Sequence, residues 1–270
     1  MASCNGKCGD CKLNCNDRKE DFILSPNENS KIKKLIGVVS GKGGVGKSTV
    51  TSLLAVASAN LGYSTAIMDA DITGPSIPQA FGIHENARGT DEGIIPALGS
   101  KGIKVMSVNL LLEREDQPVI WRGPVLTGLI NQFWQEVIWG DVDYMFVDMP
   151  PGTGDVPLTV FQSLPLDGII IVTTPQDLVT LIVKKAVNMA KMMNVPIIGI
   201  IENMSYFICS DCGKRHNIFG ESKLESFVKE EGISFLAQIP LNEESRLLVD
   251  KGKVELADTR IFEDIIKKLE

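Results

Sequence analysis

The sequence has no apolar run approaching the about 18 residues that a helix needs to cross a bilayer. Its first residues, MASCNGKCGD, lack the apolar core of a secretory leader. Neither end carries a myristoylation or prenylation pattern. Basic residues are in deficit, with 27 Lys and Arg against 34 Asp and Glu and a net charge of −7. A partner held mainly through a phosphate backbone needs the opposite balance, so neither nucleic acid nor membrane is expected as a partner. Histidine is scarce, with only His84 and His216. These absences together predict a cytoplasmic protein. In that reducing compartment cysteines read as metal ligands rather than disulfides.

What is present is ordinary in bulk: 44% hydrophobic and 23% charged residues over 270 positions. A chain of this length builds a core without disulfides or structural metal. Residues 1–30 stand apart. They hold four of the six cysteines, many Asn, Asp and Lys, and few large apolar side chains. Such a Cys-rich N-terminal tail cannot bury enough surface to fold alone, so it is expected either as a mobile tail or as a segment organised by a metal cluster. Residues 31–270 follow another pattern, expected to be one domain.

In that second part, short continuous apolar runs alternate with helical periodicity. Strands are predicted at 35–40, 64–71, 103–109, 144–148, 168–173, 196–201 and 235–239. Helices are predicted at 47–61, 124–138, 156–164, 178–193, 222–231, 243–251 and 261–269. The stretch 84–100 reads as an irregular surface excursion. Apolar strands alternating with helices predict an α/β fold, a doubly wound and mainly parallel sheet with helices on both faces.

GKGGVGKST, from Gly41 to Thr49, follows a predicted strand and opens a predicted helix. That is the context of a phosphate-binding loop, G-x-x-x-x-G-K-S/T. Gly41, Gly43, Gly44, Val45 and Gly46 would cradle phosphates with backbone N–H groups, aided by the helix N-terminus. Lys47 would reach the β- and γ-phosphates, Ser48 would ligate Mg²⁺, and Thr49 would lie near the α-phosphate. ATP and Mg²⁺ are the implied ligands. Lys42 is a second lysine inside the loop. KGGVGK resembles the deviant form found in the MinD/ParA/nitrogenase-iron-protein class, where the early lysine reaches the partner subunit's nucleotide. That resemblance implies a catalytic charge delivered in trans and a homodimer.

Asp148 ends the apolar run YMFVD, and an acid at that end of a central strand faces the nucleotide crevice. It is expected to hold Mg²⁺ through water, with Gly152 in a loop that senses the γ-phosphate. Asp69 and Asp71 end the second predicted strand. Asp71 is the choice for orienting the attacking water, and Asp69 for holding the loop. In the class that the loop resembles, an Asn at the ENM position reads adenine; the resemblance thus makes Asn203, in ENMSYF, a candidate for reading the base, with a plain turn residue as the alternative.

Cys209 and Cys212 form C-x-x-C, half of a tetrahedral thiolate site. Two copies on a two-fold axis would supply four sulfurs, suiting an iron–sulfur cluster or zinc. His216 is a conceivable third ligand and more simply a surface residue. Cys4, Cys8, Cys11 and Cys15 have spacing C-x3-C-x2-C-x3-C, near ferredoxin spacing, so a cluster is favoured there over zinc.

GKGGVGKST, DADITGPSIP, DMPPGTGD, VTTPQD and ENMSYFICSDCG together resemble the Mrp/ApbC-type iron–sulfur cluster carrier P-loop ATPases. The resemblance runs from Lys31 to the C-terminus. It implies ATP hydrolysis, slow in the absence of an obvious strong base, and a homodimer. It also implies a 4Fe–4S cluster bridged by Cys209 and Cys212 and passed to apo iron–sulfur proteins. Lys42, Lys47, Ser48, Asp71 and Asp148 match the family's nucleotide-site positions. The N-terminal cysteines depart from many members. Competing readings are a MinD/ParA-type positioning ATPase, an ATP-driven reductase, and a zinc-stabilised regulatory ATPase. The first would need a basic amphipathic membrane helix or a DNA-binding surface, and TRIFEDIIKKLE carries balanced charge with an apolar face suited to packing.

Overall fold

The computed structural model describes residues 23–72, 74–112, 123–176, 179–222 and 224–269, with only the backbone of 179–182. Strand β1 (Ser30–Ser40) is the spine of the molecule. Its first half alternates exposed and half-buried side chains, and its second half, Leu35–Ser40, is fully buried. The polar start Lys31–Lys34 hides a strand end from a search for apolar runs, and β1 begins five residues before the apolar segment does.

The chain continues through α1 (Lys47–Asn60), β2 (Thr65–Asp69), the short α2 (Ile77–Ala80), β3 (Arg88–Thr90), β4 (Gly93–Ile95), β5 (Ala97–Leu98) and β6 (Lys104–Ser107). Next come α3 (Gly123–Gln135), β7 (Gly140–Asp148), α4 (Asp155–Ser163), β8 (Gly168–Thr173), α5 (Val179–Met192) and β9 (Ile197–Glu202). The last part holds β10 (Phe207–Ile208), β11 (Arg215–His216), α6 (Leu224–Glu231), β12 (Phe235–Gln238), α7 (Glu243–Asp250) and α8 (Arg260–Lys267). The main sheet has eight strands in the order β12-β9-β8-β1-β7-β2-β6-β5. All neighbours are parallel except the edge pair β5–β6. The expected doubly wound α/β sheet is present. The stretch 84–100 is more ordered than expected: β3 and β4 form an antiparallel hairpin, and β5 closes the sheet edge.

Helices cover both faces. On one, Val50, Leu53, Leu54 and Val56 of α1 pack with Phe262, Ile265 and Ile266 of α8. On the other, Phe133 and Trp134 of α3 join Val160 and Phe161 of α4, Val187 of α5 and Phe227 of α6. The apolar face of the C-terminal helix is therefore used internally. Trp134 and Trp139 are buried, and their indole N–H groups donate to the carbonyls of Leu24 and Phe133. Of the methionines in the 188–194 stretch, Met189 is core, whereas Met192 stands 76% exposed. Residues 23–29, within the N-terminal stretch, lie against α3 and α4: Leu24 N donates to Ser163 O and Asn27 N to Trp134 O.

Register carries the consequence for function. Val38 of β1 pairs with Asp148 of β7, Asp148 with Asp69 of β2, and Asp69 with Ser107 of β6. Four strands thus end together at the carboxyl edge of the sheet, beside the loop that follows β1. In open α/β sheets that edge is where ligands bind.

Candidate nucleotide and thiol sites

The loop from Gly41 to Gly46 joins β1 to α1. Gly44 and Gly46 have φ of 78° and 76°, a left-handed conformation that side chains resist. Gly46 occupies the cap position of α1, with no side-chain cap and no acid in the first turn. The first N–H groups of a 14-residue helix are therefore left facing the loop. That is an anion-binding arrangement written into sequence: glycine where a Ser or Asp cap would compete.

Lys47 is 5% exposed, and its ammonium lies 2.8 Å from Asp148 Oδ1 and 3.6 Å from Asp71 Oδ2. Ser48 Oγ donates to Asp148 Oδ2 at 2.6 Å. Thr51 Oγ1 donates to Asp148 Oδ1 at 2.7 Å. Asp148 is fully buried and so holds three donors. It does not cap the next helix, because Gly154 precedes α4. Asp69, also fully buried, accepts the Asp71 N–H at 3.2 Å and the Ser107 hydroxyl at 3.1 Å. Burial, and then the charge of Asp148, push its carboxyl well above the usual carboxylate range. Asp69 is thus bonded to the backbone of the loop after β2, and Asp71 reaches the Lys47 ammonium from that loop. The Gly152 N–H donates to Ser40 O at 2.8 Å, bringing the segment after β7 beside the phosphate loop.

Lys42 donates to Gln176 Oε1, in the segment after β8. Asn203 is 7% exposed and donates its Nδ2 to Val45 O at 2.9 Å. It lines a cleft of about 280 Å³ together with Gly46, Thr49, Met204, Pro240 and Arg246. Thr51, Gln176 and the α7 side of this cleft escape the sequence reading. Thr51 had a signal, since it lies one helical turn beyond Lys47 and so on the same face.

Cys209 and Cys212 sit in the turn between β10 and β11, which pair antiparallel. Cys209 N donates to Lys214 O at 3.0 Å and Gly213 N to Cys209 O at 2.9 Å, giving a tight knuckle. Cys209 is half-buried and Cys212 exposed. Hydrogen bonds from the backbone N–H groups of Cys212 and Asp211, and then from the Cys212 side chain, lower the Cys209 thiol pKa from its ordinary value. Donors aimed at sulfur favour the thiolate, the form that binds metal. Among the described residues no three His, Cys, Asp or Glu side chains gather into a metal site, so His216, exposed on β11, does not join the pair. Cys4, Cys8, Cys11 and Cys15 lie outside the described residues.

The family model described as ParA, the NUBPL iron-transfer P-loop NTPases, matches residues 31–269. This chain belongs to that family. It is a P-loop NTPase of the ATP-hydrolysing class. It is 48% identical to an iron–sulfur cluster carrier protein of Methanocaldococcus jannaschii over 100% of this chain and 97% of that one. A second relative of the same description, from Pyrococcus furiosus, is 46% identical over 88% of this chain and 86% of its own length. The ADP complex of a nucleotide-binding protein from Archaeoglobus fulgidus superimposes with TM-score 0.78 at 44% identity, covering 86% of this chain and 91% of that one. The septum-site-determining protein MinD of Pyrococcus horikoshii, with Mg-ADP, gives TM-score 0.62 at 18% identity over 88% and 96% of the two chains, a likeness of fold alone.

Proposed function

We propose that this protein carries an iron–sulfur cluster between proteins, using ATP to govern how the cluster is held. The observation that carries this is the knuckle at Cys209 and Cys212. It brings together a half-buried and an exposed cysteine, with donors at Cys209 that favour thiolate, in the segment that leaves the nucleotide cleft at Asn203. One chain offers two thiols there, and two copies offer four, the set a 4Fe–4S cargo needs. The hairpin and the segment after it expose Phe207, Ile208, Ile218 and Phe219. Apolar side chains in that number around a half-site suit a homodimer interface. The relatives' shared description supports the same cargo, and apo iron–sulfur proteins are the recipients.

At the nucleotide, the loop N–H groups and the N-terminus of α1 bind the phosphates. Lys47 turns its ammonium from Asp148 to the phosphate oxygens. The Ser48 hydroxyl and Asp148 carboxylate meet at the foot of the loop and are the hard oxygen donors Mg²⁺ prefers, so they would hold it. Mg²⁺, when bound, supplies positive charge to the phosphate oxygens. Asp71 orients the attacking water, Asn203 reads the base, and Gly152 lies beside the γ-phosphate. Lys42 leaves Gln176 and reaches the partner subunit's nucleotide.

The test is anaerobic reconstitution of the full chain, followed by iron, sulfide and zinc analysis and gel filtration. Cys209→Ala and Cys212→Ala lose the dimer-bridging cluster and keep any cluster bound by Cys4, Cys8, Cys11 and Cys15. If both variants retain the parent's iron and sulfide, the bridging reading fails. Zinc without sulfide in the parent would replace the carrier reading with the zinc-stabilised one.

A further inference from the structure

The hairpin that presents Cys209 and Cys212 has two residues in each strand, and residues 211–220 are all exposed. Two short strands alone are barely stable in water. The hairpin is anchored from outside by a line of contacts. Arg215 of β11 lies over the Tyr206 ring, 3.8 Å from its centre. Its Nη2 donates to Gln238 Oε1 at 3.0 Å. Gln238, the last residue of β12, donates Nε2 to Glu202 Oε2 at 2.9 Å. Glu202, the last residue of β9, is fully buried and also accepts from Ser205 Oγ at 2.6 Å and from Ser222 Oγ. A carboxylate taken out of water stays where its donors hold it.

The other end of this line touches the nucleotide loop. Asn203 follows Glu202 in the chain and bonds Val45 O. Met204, next, is held at φ 53°, a left-handed conformation strained for a residue with a side chain. Both line the cleft beside Gly46. Leu241, which also lines the cleft, donates its N–H to Tyr206 O at 2.7 Å. A ligand filling the cleft therefore presses on the turn and on the wall from which the hairpin hangs.

We propose that Gln238 and Arg215 are positioning residues that transmit nucleotide occupancy to the Cys209–Cys212 hairpin, through Glu202 and the Asn203–Met204 turn. This rests on the carrier reading, in that the hairpin is the cargo site. Neither residue is among those that line the cleft. Each acts by fixing the hairpin to a carboxylate whose neighbour in sequence contacts the phosphate loop.

Hydrogen–deuterium exchange on the metal-free full chain, with and without ADP, tests it. In the parent, ADP slows exchange of the 206–216 amides by about fivefold or more, the lower end of ordinary coupling between sites. In Gln238→Ala and Arg215→Ala, ADP still protects residues 41–52, and the ADP-dependent slowing at 206–216 is lost. A purely structural role would speed hairpin exchange equally with and without ADP, leaving the ratio intact. Arg215→Lys, which keeps a cation over Tyr206 and a donor toward Gln238, restores part of the ratio. Arg215 is exposed, so its variants fold even if Gln238→Ala does not. No ADP response in the parent hairpin, or an undiminished response in Arg215→Ala, overturns the proposal. Because the exchange is read without metal, a failed cluster reconstitution would overturn the carrier reading and leave these ratios unchanged.

Discussion

Replacing Gly46 by alanine, set against the same change at Gly44, isolates one contact in the phosphate loop. Both glycines are left-handed, with φ of 76° and 78°, so both variants pay the same backbone strain, about 1–2 kcal/mol. Both also gain the same small offset, about 0.4–1 kcal/mol, from a stiffer unfolded chain. Their surroundings differ. A Cβ on Gly44 meets nothing within 4 Å, whereas one on Gly46 overlaps Asn203 Nδ2 and comes within 3.3 Å of Met204 Cε. Nδ2 is the far end of a side chain and can swing away, but it is buried and bonded to Val45 O. Moving it forfeits that bond and strands an amide, about 1–3 kcal/mol.

Gly46→Ala is therefore expected to lose about 1–3 kcal/mol more than Gly44→Ala. Urea unfolding monitored by circular dichroism reads the difference as a shift in midpoint at constant slope. The double-mutant cycle with Asn203→Ala removes ambiguity about which neighbour is responsible. In that background, Gly46→Ala should cost no more than Gly44→Ala. Equal costs in the parent background, or an excess at Gly46 that survives Asn203→Ala, would refute the assignment of this contact.

Asp69→Asn addresses a buried acid whose pKa in the folded state is raised by burial and by the neighbouring Asp148. The unfolded chain releases this carboxyl's proton above about pH 3.9, so parental stability falls as pH rises from there toward the raised folded value. Asparagine removes this slope, and urea midpoints at roughly pH 5 and 8 should move in the variant's favour as pH rises; parallel curves would sink the idea. Thr51→Val removes one of three donors to the buried Asp148 carboxylate and should lower stability by about 1.5–3 kcal/mol, while Thr51→Ser stays near the parent. Lys42→Ala should sharply slow ATP hydrolysis with ADP affinity retained, as calorimetry would show, whereas unchanged turnover removes its role in trans. Gln176→Ala frees Lys42 from its acceptor and should leave turnover unchanged or faster in the same assay; a collapse equal to that of Lys42→Ala would place Gln176 in the chemistry instead.

Local signals made much of this molecule legible. Gly168–Thr173 is apolar at every interior position and buried at every position, and its bounds as a strand match the expectation from sequence. The phosphate loop declares itself because its chemistry is local: glycines, a lysine and a hydroxyl in one turn. Elements with little apolar content are hidden. The first half of β1, the β3–β4 hairpin and the Cys hairpin all carry exposed side chains. They are held by pairing to a neighbour whose position the sequence does not state.

Parallel pairing explains what lies between these cases. Neighbouring parallel strands end together at one edge of a sheet, whatever their separation along the chain. An acid closing an apolar run therefore lands on the same edge as every other such acid. That rule picks out Asp69, Asp71 and Asp148, and it applies equally to Glu202, which closes IIGIIE and is as deeply buried as Asp148. The partners of Glu202 are less accessible to this logic. Gln238 reaches it only because β12 pairs with β9 in a register that passes through an irregularity between Phe235 and Ala237. Without that shift the same strand would turn its side chains to the opposite face, since the period of a strand is two residues. The site at the loop is written in one stretch of sequence, whereas the link from the loop to the cysteines depends on that single slip in register.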